Sequence, residues 1–118
     1  MRPLLYVILH HEEIPDPHFD LMFETLPGSE LATWRSPAWP IESPVVLTRL
    51  KDHRRVYLDY EGDLSGSRGR VHRVAHGECE IDIGENAVWT VRFLTGSPAG
   101  QIMLRQIENE RWEGSSAI

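Results

Sequence analysis

The sequence predicts an all-β fold, and specifically a compact single-domain β-barrel of about eight short strands. Three observations support this prediction. Clusters of glycine, proline, serine and asparagine recur along the chain, for example at Pro27-Gly28-Ser29 and Gly84-Glu85-Asn86, and divide it into short segments. Apolar and polar residues alternate within several segments, as they do in half-buried strands. The length of 118 residues suits one domain, residues 1–118, with one hydrophobic core.

The strand assignments follow from the apolar runs between these turn signals. The first run follows Pro3 and is too short to cross a bilayer. No small-residue cleavage site follows it, so we interpret it as the first strand and not as a signal peptide. Residues 52–60 also allow one short helix, because apolar positions in and before this stretch partly fit a helical period. Residues 114–118 are predicted to fray. The predicted strands are residues 4–9, 18–24, 30–35, 45–50, 70–75, 78–83, 87–94 and 101–107.

The composition argues against a general polyanion-binding protein. Lysine and arginine number 12 and the acidic residues 18, which gives a formal net charge of −6. Two local basic clusters remain, although such clusters are typical of solvated faces. The single cysteine, Cys79, excludes an internal disulfide and a cysteine-rich zinc cluster, and it fits a cytoplasmic location. The basic clusters are Arg49, Lys51, Arg54 and Arg55, and then Arg68, Arg70, His72 and Arg73.

The segment from His18 to Glu24 carries the most specific pattern in the chain. Successive side chains of a strand point to opposite faces, so His18 and Asp20 share a face. An imidazole and a carboxylate side by side on a strand supply two ligands of a divalent-metal site. The residues alone favour the simpler interpretation, a surface histidine beside a surface aspartate. One predicted face holds His18, Asp20, Met22 and Glu24, and the other holds Phe19, Leu21 and Phe23.

Other titratable residues offer further groups for such a site. A second imidazole is available from His10 or His11, but adjacent strand residues face opposite ways, so only one of them can share a face with His18. Downstream, His53 offers an acid or base near neutral pH, and Tyr57 offers a hydroxyl that can donate to an anionic oxygen. On its own, His53 is more typical of a surface residue. The glycine-rich stretch at 59–69 lacks the spacing of a P-loop, and no serine or cysteine nucleophile motif is recognisable.

Four segments together resemble the 3′-phosphoesterase domain of bacterial DNA ligase D, and in particular its small stand-alone relatives. They span nearly the whole chain in order. The third segment is the most specific, because residues 52–62 match without a gap. The segments are a strand ending in His11 followed by residues 18–24, Thr33-Trp34 with Pro37 and Pro40, residues 52–62 with Gly66, Gly69 and Val71, and the strand pair 88–94 and 100–105.

The resemblance implies a compact β-barrel with a catalytic crater on one side. It also implies a divalent metal, typically Mn²⁺, with Zn²⁺ or another divalent ion as an alternative. Carried over by position, the implied metal ligands are His11, His18 and Asp20. His10 remains a substitute for His11, because the spacing before His18 is one residue longer than in the ligase-fused members.

The resemblance also implies an activity. The family removes a 3′-terminal ribonucleoside and then the remaining 3′-phosphate at DNA ends or nicks. Its downstream histidine and tyrosine fall on His53 and Tyr57, which become the implied catalytic residues. The implied partners are DNA or DNA/RNA 3′ ends, with a repair ligase or polymerase acting in trans, and no membrane.

The chain departs from the family at positions that bind the substrate phosphate. Met22, Ala38 and Val45 stand where the family carries cations. A charge-assisted bond to an anion contributes roughly 1.5–3 kcal/mol, so other cations would have to compensate. The alternative is a catalytically impaired barrel that binds nucleic acid or protein, and a further one is hydrolysis of a small phosphorylated metabolite. The candidate compensating cations are Arg49, Arg54, Arg55 and Arg68.

Overall fold

A computed structural model describes residues 2–96 and 100–116, and these residues form nine strands and two short 3-10 helices. The longer 3-10 helix, Arg55–Leu58, lies inside the stretch where one short helix was the alternative. None of the described helices is long and apolar enough to span a bilayer. The strands are β1 (Leu4–Glu12), β2 (His18–Glu24), β3 (Leu31–Ser36), β4 (Val45–His53), β5 (Gly62–Asp63), β6 (Arg70–Ile83), β7 (Val88–Phe93), β8 (Gln101–Glu108) and β9 (Arg111–Ser116).

The strands form a closed antiparallel β-barrel of eight strands, which confirms the predicted fold class. The order around the barrel is β1-β2-β3-β4-β9-β8-β7-β6, and β6 pairs with β1 to close it. The two-residue β5 lies outside this ring and pairs only with the first residues of β6. Closure leaves the eight barrel strands without a free edge.

The barrel interior is an aromatic and aliphatic core contributed by all eight strands. Trp34, Trp89 and Trp112 meet edge to face near its centre, with ring centroids 5.0 to 6.4 Å apart. Leu21 and Phe23 of β2 point into this core, and Phe19 packs against it. The predicted apolar face of β2 is therefore the inner face.

A second, smaller apolar cluster lies on the outer face of the barrel. It contains Met22 of β2 and side chains of β1, β3 and β6. We call residues 54–69 the covering segment, because its Tyr57, Leu58 and Leu64 pack over this cluster. His18, Asp20 and Glu24 share the Met22 face, as the alternation predicts. The polar side of β2 is thus buried beneath the covering segment instead of facing solvent.

Two details of the strand assignment were wrong. The predicted break at Gly77 is absent, and residues 70–83 form one continuous strand. The glycine serves a close contact, because a Cβ at Gly77 would lie 2.4 Å from the Thr95 Oγ1. At the C-terminus, residues 114–116 belong to β9, which pairs with both β4 and β8. Residues 117–118 of the predicted frayed tail, and residues 97–99 of a predicted turn, lie outside the described residues.

Candidate metal centre

Two neighbouring strands bring His11, His18 and Asp20 together on the outer face of the barrel. His18 and Asp20 are two positions apart on β2, and His11 of β1 is the cross-strand partner of His18. Directly opposed residues in an antiparallel pair have close Cβ atoms, so the two imidazoles meet. Their ring centroids are 4.9 Å apart.

The possible ligand atoms of these three residues converge. The Nε2 of His18 lies 3.5 Å from the Oδ1 of Asp20, and the Nδ1 of His11 lies 4.0 Å from the Oδ2 of Asp20. One ligand atom from each residue falls within 4.8 Å of the others. The His18 Nε2 and the Asp20 Oδ1 are buried and have no hydrogen-bond partner among the described residues. Buried polar atoms are rarely left unpaired, so this donor set fits a divalent cation.

Backbone carbonyls orient both imidazoles for this role. The Nε2–H of His11 can donate to the carbonyl oxygen of Arg68 at 2.7 Å, which leaves Nδ1 free to bind a metal. The Nδ1–H of His18 can donate to the carbonyl oxygen of Asp16 at 2.8 Å, which leaves Nε2 free. Such outer hydrogen bonds fix the ring and tautomer of metal-binding histidines. His10 lies on the other face of β1, where its ring stacks on Phe19, so it does not approach Asp20.

The electrostatic environment of Asp20 also suits a cation. The residue is 6% exposed, and burial raises the pKa of its carboxyl group because the charged form is desolvated. His18, His11, Arg35 and His53 oppose this rise in the pKa without cancelling it. A bound divalent cation would stabilise the ionised form of this buried carboxylate.

A cavity of about 190 Å³ opens beside these residues. Pockets for drug-sized ligands are typically about 300–1,000 Å³, so this cavity is smaller than those that enclose such ligands. Met22, which stands at one of the cation positions of the resembled family, contributes to its apolar wall. The polar residues that line the cavity are His11, Asp20, Arg35, His53, Tyr57 and Arg68.

His53 and Tyr57 reach the cavity from different elements. His53 is the last residue of β4, and its Nδ1–H can donate to the carbonyl oxygen of Lys51 at 2.9 Å. This leaves Nε2 free for a ligand. Tyr57 comes from the 3-10 helix of the covering segment, and its ring lies edge to face with His53 at 5.8 Å between centroids. The structure thus brings both predicted catalytic residues to the cavity beside the candidate metal ligands.

The four predicted phosphate-binding arginines separate into two groups. Arg68 lines the cavity, and Arg54 lies in an adjoining surface groove that also contains Lys51. Arg49 faces the barrel interior, where its guanidinium lies 4.3 Å from the centre of the Trp34 ring. Arg55 binds the carboxylate of Glu24. Arg49 and Arg55 therefore do not line the cavity.

Arg35, which the sequence pattern did not identify, lines the cavity from β3. Its Cα is the cross-strand partner of Asp20, so the guanidinium lies on the same face as the Asp20 carboxylate. The alternation of β3 contained a signal, because Trp34 beside it is apolar and points inward. Only the register between β2 and β3 places Arg35 next to Asp20.

A buried carboxylate attaches the covering segment to the barrel. Glu24, at the end of β2, is 0% exposed and accepts hydrogen bonds from Arg2 at 2.7 and 2.9 Å. It also accepts from the backbone N–H groups of Leu5 and Gly28 and from Arg55 of the covering segment. Burial raises the pKa of Glu24, but these donors outweigh it and hold the pKa well below its usual range. The contact fixes the 3-10 helix that carries Tyr57.

Comparison of the chain with protein-family models gives no match, and a search of curated proteins also gives none.

Proposed function

We propose that the barrel is a divalent-metal-dependent phosphoesterase that processes 3′ ends of DNA, removing a 3′-terminal ribonucleoside and then the 3′-phosphate. One observation carries the proposal. The His18 Nε2 and the Asp20 Oδ1 are buried without a hydrogen-bond partner in the described part of the chain, converge with His11, and adjoin a cavity lined by arginines. The choice of DNA 3′ ends among phosphoesters depends on the sequence resemblance.

The residues around the cavity have separable roles in this proposal. A divalent metal, Mn²⁺ or Zn²⁺, held by His11, His18 and Asp20 would polarise a phosphoryl oxygen as a Lewis acid and orient the water that attacks the phosphorus. In its imidazolium form His53 donates the Nε2 proton to the leaving oxygen, while its Nδ1–H stays hydrogen-bonded to the Lys51 carbonyl. The Tyr57 hydroxyl donates to a non-bridging oxygen.

Two cations compensate for the apolar residue at position 22. Arg35 and Arg68 line the cavity and can each donate to phosphate oxygens. The adjoining groove holds Lys51 and Arg54 and shares His53, Tyr57 and Arg68 with the cavity. A nucleic-acid backbone leading to the reacting phosphate would lie along these cations, despite the acidic charge of the whole chain.

The test uses the full chain loaded with Mn²⁺ or Zn²⁺ and a labelled primer that ends in a ribonucleotide 3′-phosphate. We expect turnover by the wild type and none by His18→Ala or Asp20→Asn, and His53→Ala should lower the rate about 10²–10⁴-fold. His76→Ala is the matched control, because His76 is exposed on β6 and lies outside the His11, His18 and Asp20 group. Wild-type rates in Asp20→Asn would refute the proposal.

Two further measurements on the same protein address the alternatives. Met22, at a position where the family carries a phosphate-binding arginine, favours a barrel that binds without turnover. Salt-dependent binding of DNA ends with no product would support that function. A parallel assay on small phosphorylated metabolites tests the remaining alternative, in which the small cavity takes a free phosphomonoester.

A further inference from the structure

A second group of metal-ligating side chains lies on the opposite face of β1 from His11. His10 and Glu12 are two positions apart on β1, and His72 of β6 is the cross-strand partner of His10. The Glu12 carboxylate lies 3.1 Å from the Nδ1 of His72 and 3.5 Å from the Nδ1 of His10. We infer that these three residues form a second divalent-cation site, one that binds Zn²⁺ and links β1 to β6.

The second group repeats the arrangement of the first. In the first, a histidine and an acid at alternate positions of β2 meet the cross-strand histidine of β1. In the second, the same pattern runs along β1 and meets the cross-strand histidine of β6. The adjacent residues His10 and His11 supply one imidazole to each face, because successive strand residues point in opposite directions.

A bulge in the barrel keeps the second group together. The register between β1 and β6 shifts between Ile8 and Leu9, so that Leu9 pairs with Arg73 and His10 pairs with His72. Bulges often re-aim side chains at barrel rims. The His10 and His72 rings consequently meet edge to face, with centroids 5.3 Å apart.

Two imidazoles and one glutamate are a ligand set that Zn²⁺ commonly takes, with water in the fourth position. The three side chains are between 27% and 39% exposed, so a cation has access from solvent and room for that water. Arg70, the cross-strand partner of Glu12, contacts Glu13 and not the cluster carboxylate. The site would hold together the seam that closes the barrel.

The test is calorimetric titration of the metal-free full chain with Zn²⁺. We expect the wild type to bind Zn²⁺ at two sites, corresponding to the two groups. His72→Gln should keep only the first site, and Asp20→Asn should keep only the second. His76→Gln on the same strand is the matched control and should keep both. Zn²⁺ should also raise the melting temperature of Asp20→Asn but not that of Asp20→Asn/His72→Gln, because binding to the folded state alone stabilises it.

The outcomes separate this site from the proposed catalytic one. Loss of a site in His72→Gln but not in Asp20→Asn would support the second site and refute the first. If His72→Gln does not fold, Glu12→Gln serves instead, since it keeps the side-chain size and removes the anionic ligand. If folded His72→Gln or folded Glu12→Gln binds as many Zn²⁺ ions as the wild type, the inference of a second site is overturned.

Discussion

At the scale of single residues, Arg35 is the cavity-lining side chain that the sequence pattern does not reveal. It stands across from Asp20 and lines the cavity, where the nearby position 22 offers only a methionine. If Arg35 binds the substrate phosphate, it does so from β3 and not from β2. The register of two strands, rather than spacing within one, then determines whether the site retains a cation.

We expect Arg35→Met to lower kcat/KM on a 3′-phosphate primer by about 10- to 150-fold, the equivalent of one charge-assisted hydrogen bond of roughly 1.5–3 kcal/mol. Arg35→Lys should retain part of the activity, because it keeps the charge and loses the bidentate geometry. Steady-state kinetics on Mn²⁺-loaded protein measure both variants. Arg92→Met, at an exposed arginine of β7 paired with Glu80, is the control. Equal losses in Arg35→Met and Arg92→Met would contradict a specific role.

At this scale the sequence could predict which side chains share a strand face, because that depends only on local periodicity. His18 and Asp20 share a face because the side-chain period of a strand is two, and no other part of the chain is needed to know it. The choice between His10 and His11 depended on the register between β1 and β2, which places His11 and not His10 opposite His18. A sequence pattern could not predict the positions of Arg49 and Arg55 either. Arg49 packs on the tryptophan cluster, and Arg55 forms an ion pair with Glu24.

At the scale of elements, Glu24 connects β2 to the covering segment. We expect Glu24→Gln to lower the free energy of unfolding at pH 7 by about 3 kcal/mol, toward the low end for breaking a buried ion pair, because Arg2 and Arg55 are partly exposed. Urea unfolding measures this difference. Activity should fall as well, since Tyr57 is held by the same attachment.

The pH dependence of this difference has a definite sign. The donors around Glu24 lower its pKa in the folded state, so its contribution is present above the unfolded-state pKa, about 4.3, and is lost as the pH falls through the folded-state pKa. The gap in stability between wild type and Glu24→Gln should therefore narrow from pH 7 to pH 3. A gap that stays constant or widens on acidification would show that the ionised carboxylate does not stabilise the fold.

The element boundaries show where local composition misleads. β9 ends in Gly114-Ser115-Ser116, a composition typical of loose termini, yet it is a paired strand. Gly114 suits this strand, because a Cβ there would lie 2.9 Å from a methyl carbon of Leu47. The need to close the barrel between β4 and β8 outweighs the weak strand propensity of these residues.

At the scale of the whole molecule, closure of the barrel depends on β9. This strand lies between β4 and β8 and pairs with both, and its Trp112 contacts Trp34 and Trp89 in the core. Removing it would expose two strand edges and part of the aromatic interior. Since β4 also carries His53, the integrity of the barrel and of the candidate site are linked through this strand.

We expect deletion of residues 111–118 to abolish cooperative unfolding. Loss of a buried tryptophan alone costs about 3–5 kcal/mol, and the lost strand pairing adds to that, against a typical total stability of about 5–15 kcal/mol. Near-ultraviolet circular dichroism and thermal melting measure the effect. Glu113→Gln is the control on the same strand, because it keeps the backbone pairing and should change stability by less than about 0.5 kcal/mol. A truncated chain that melts cooperatively near the wild-type temperature would show that the other strands reclose without β9 and that barrel closure does not require this glycine- and serine-rich strand.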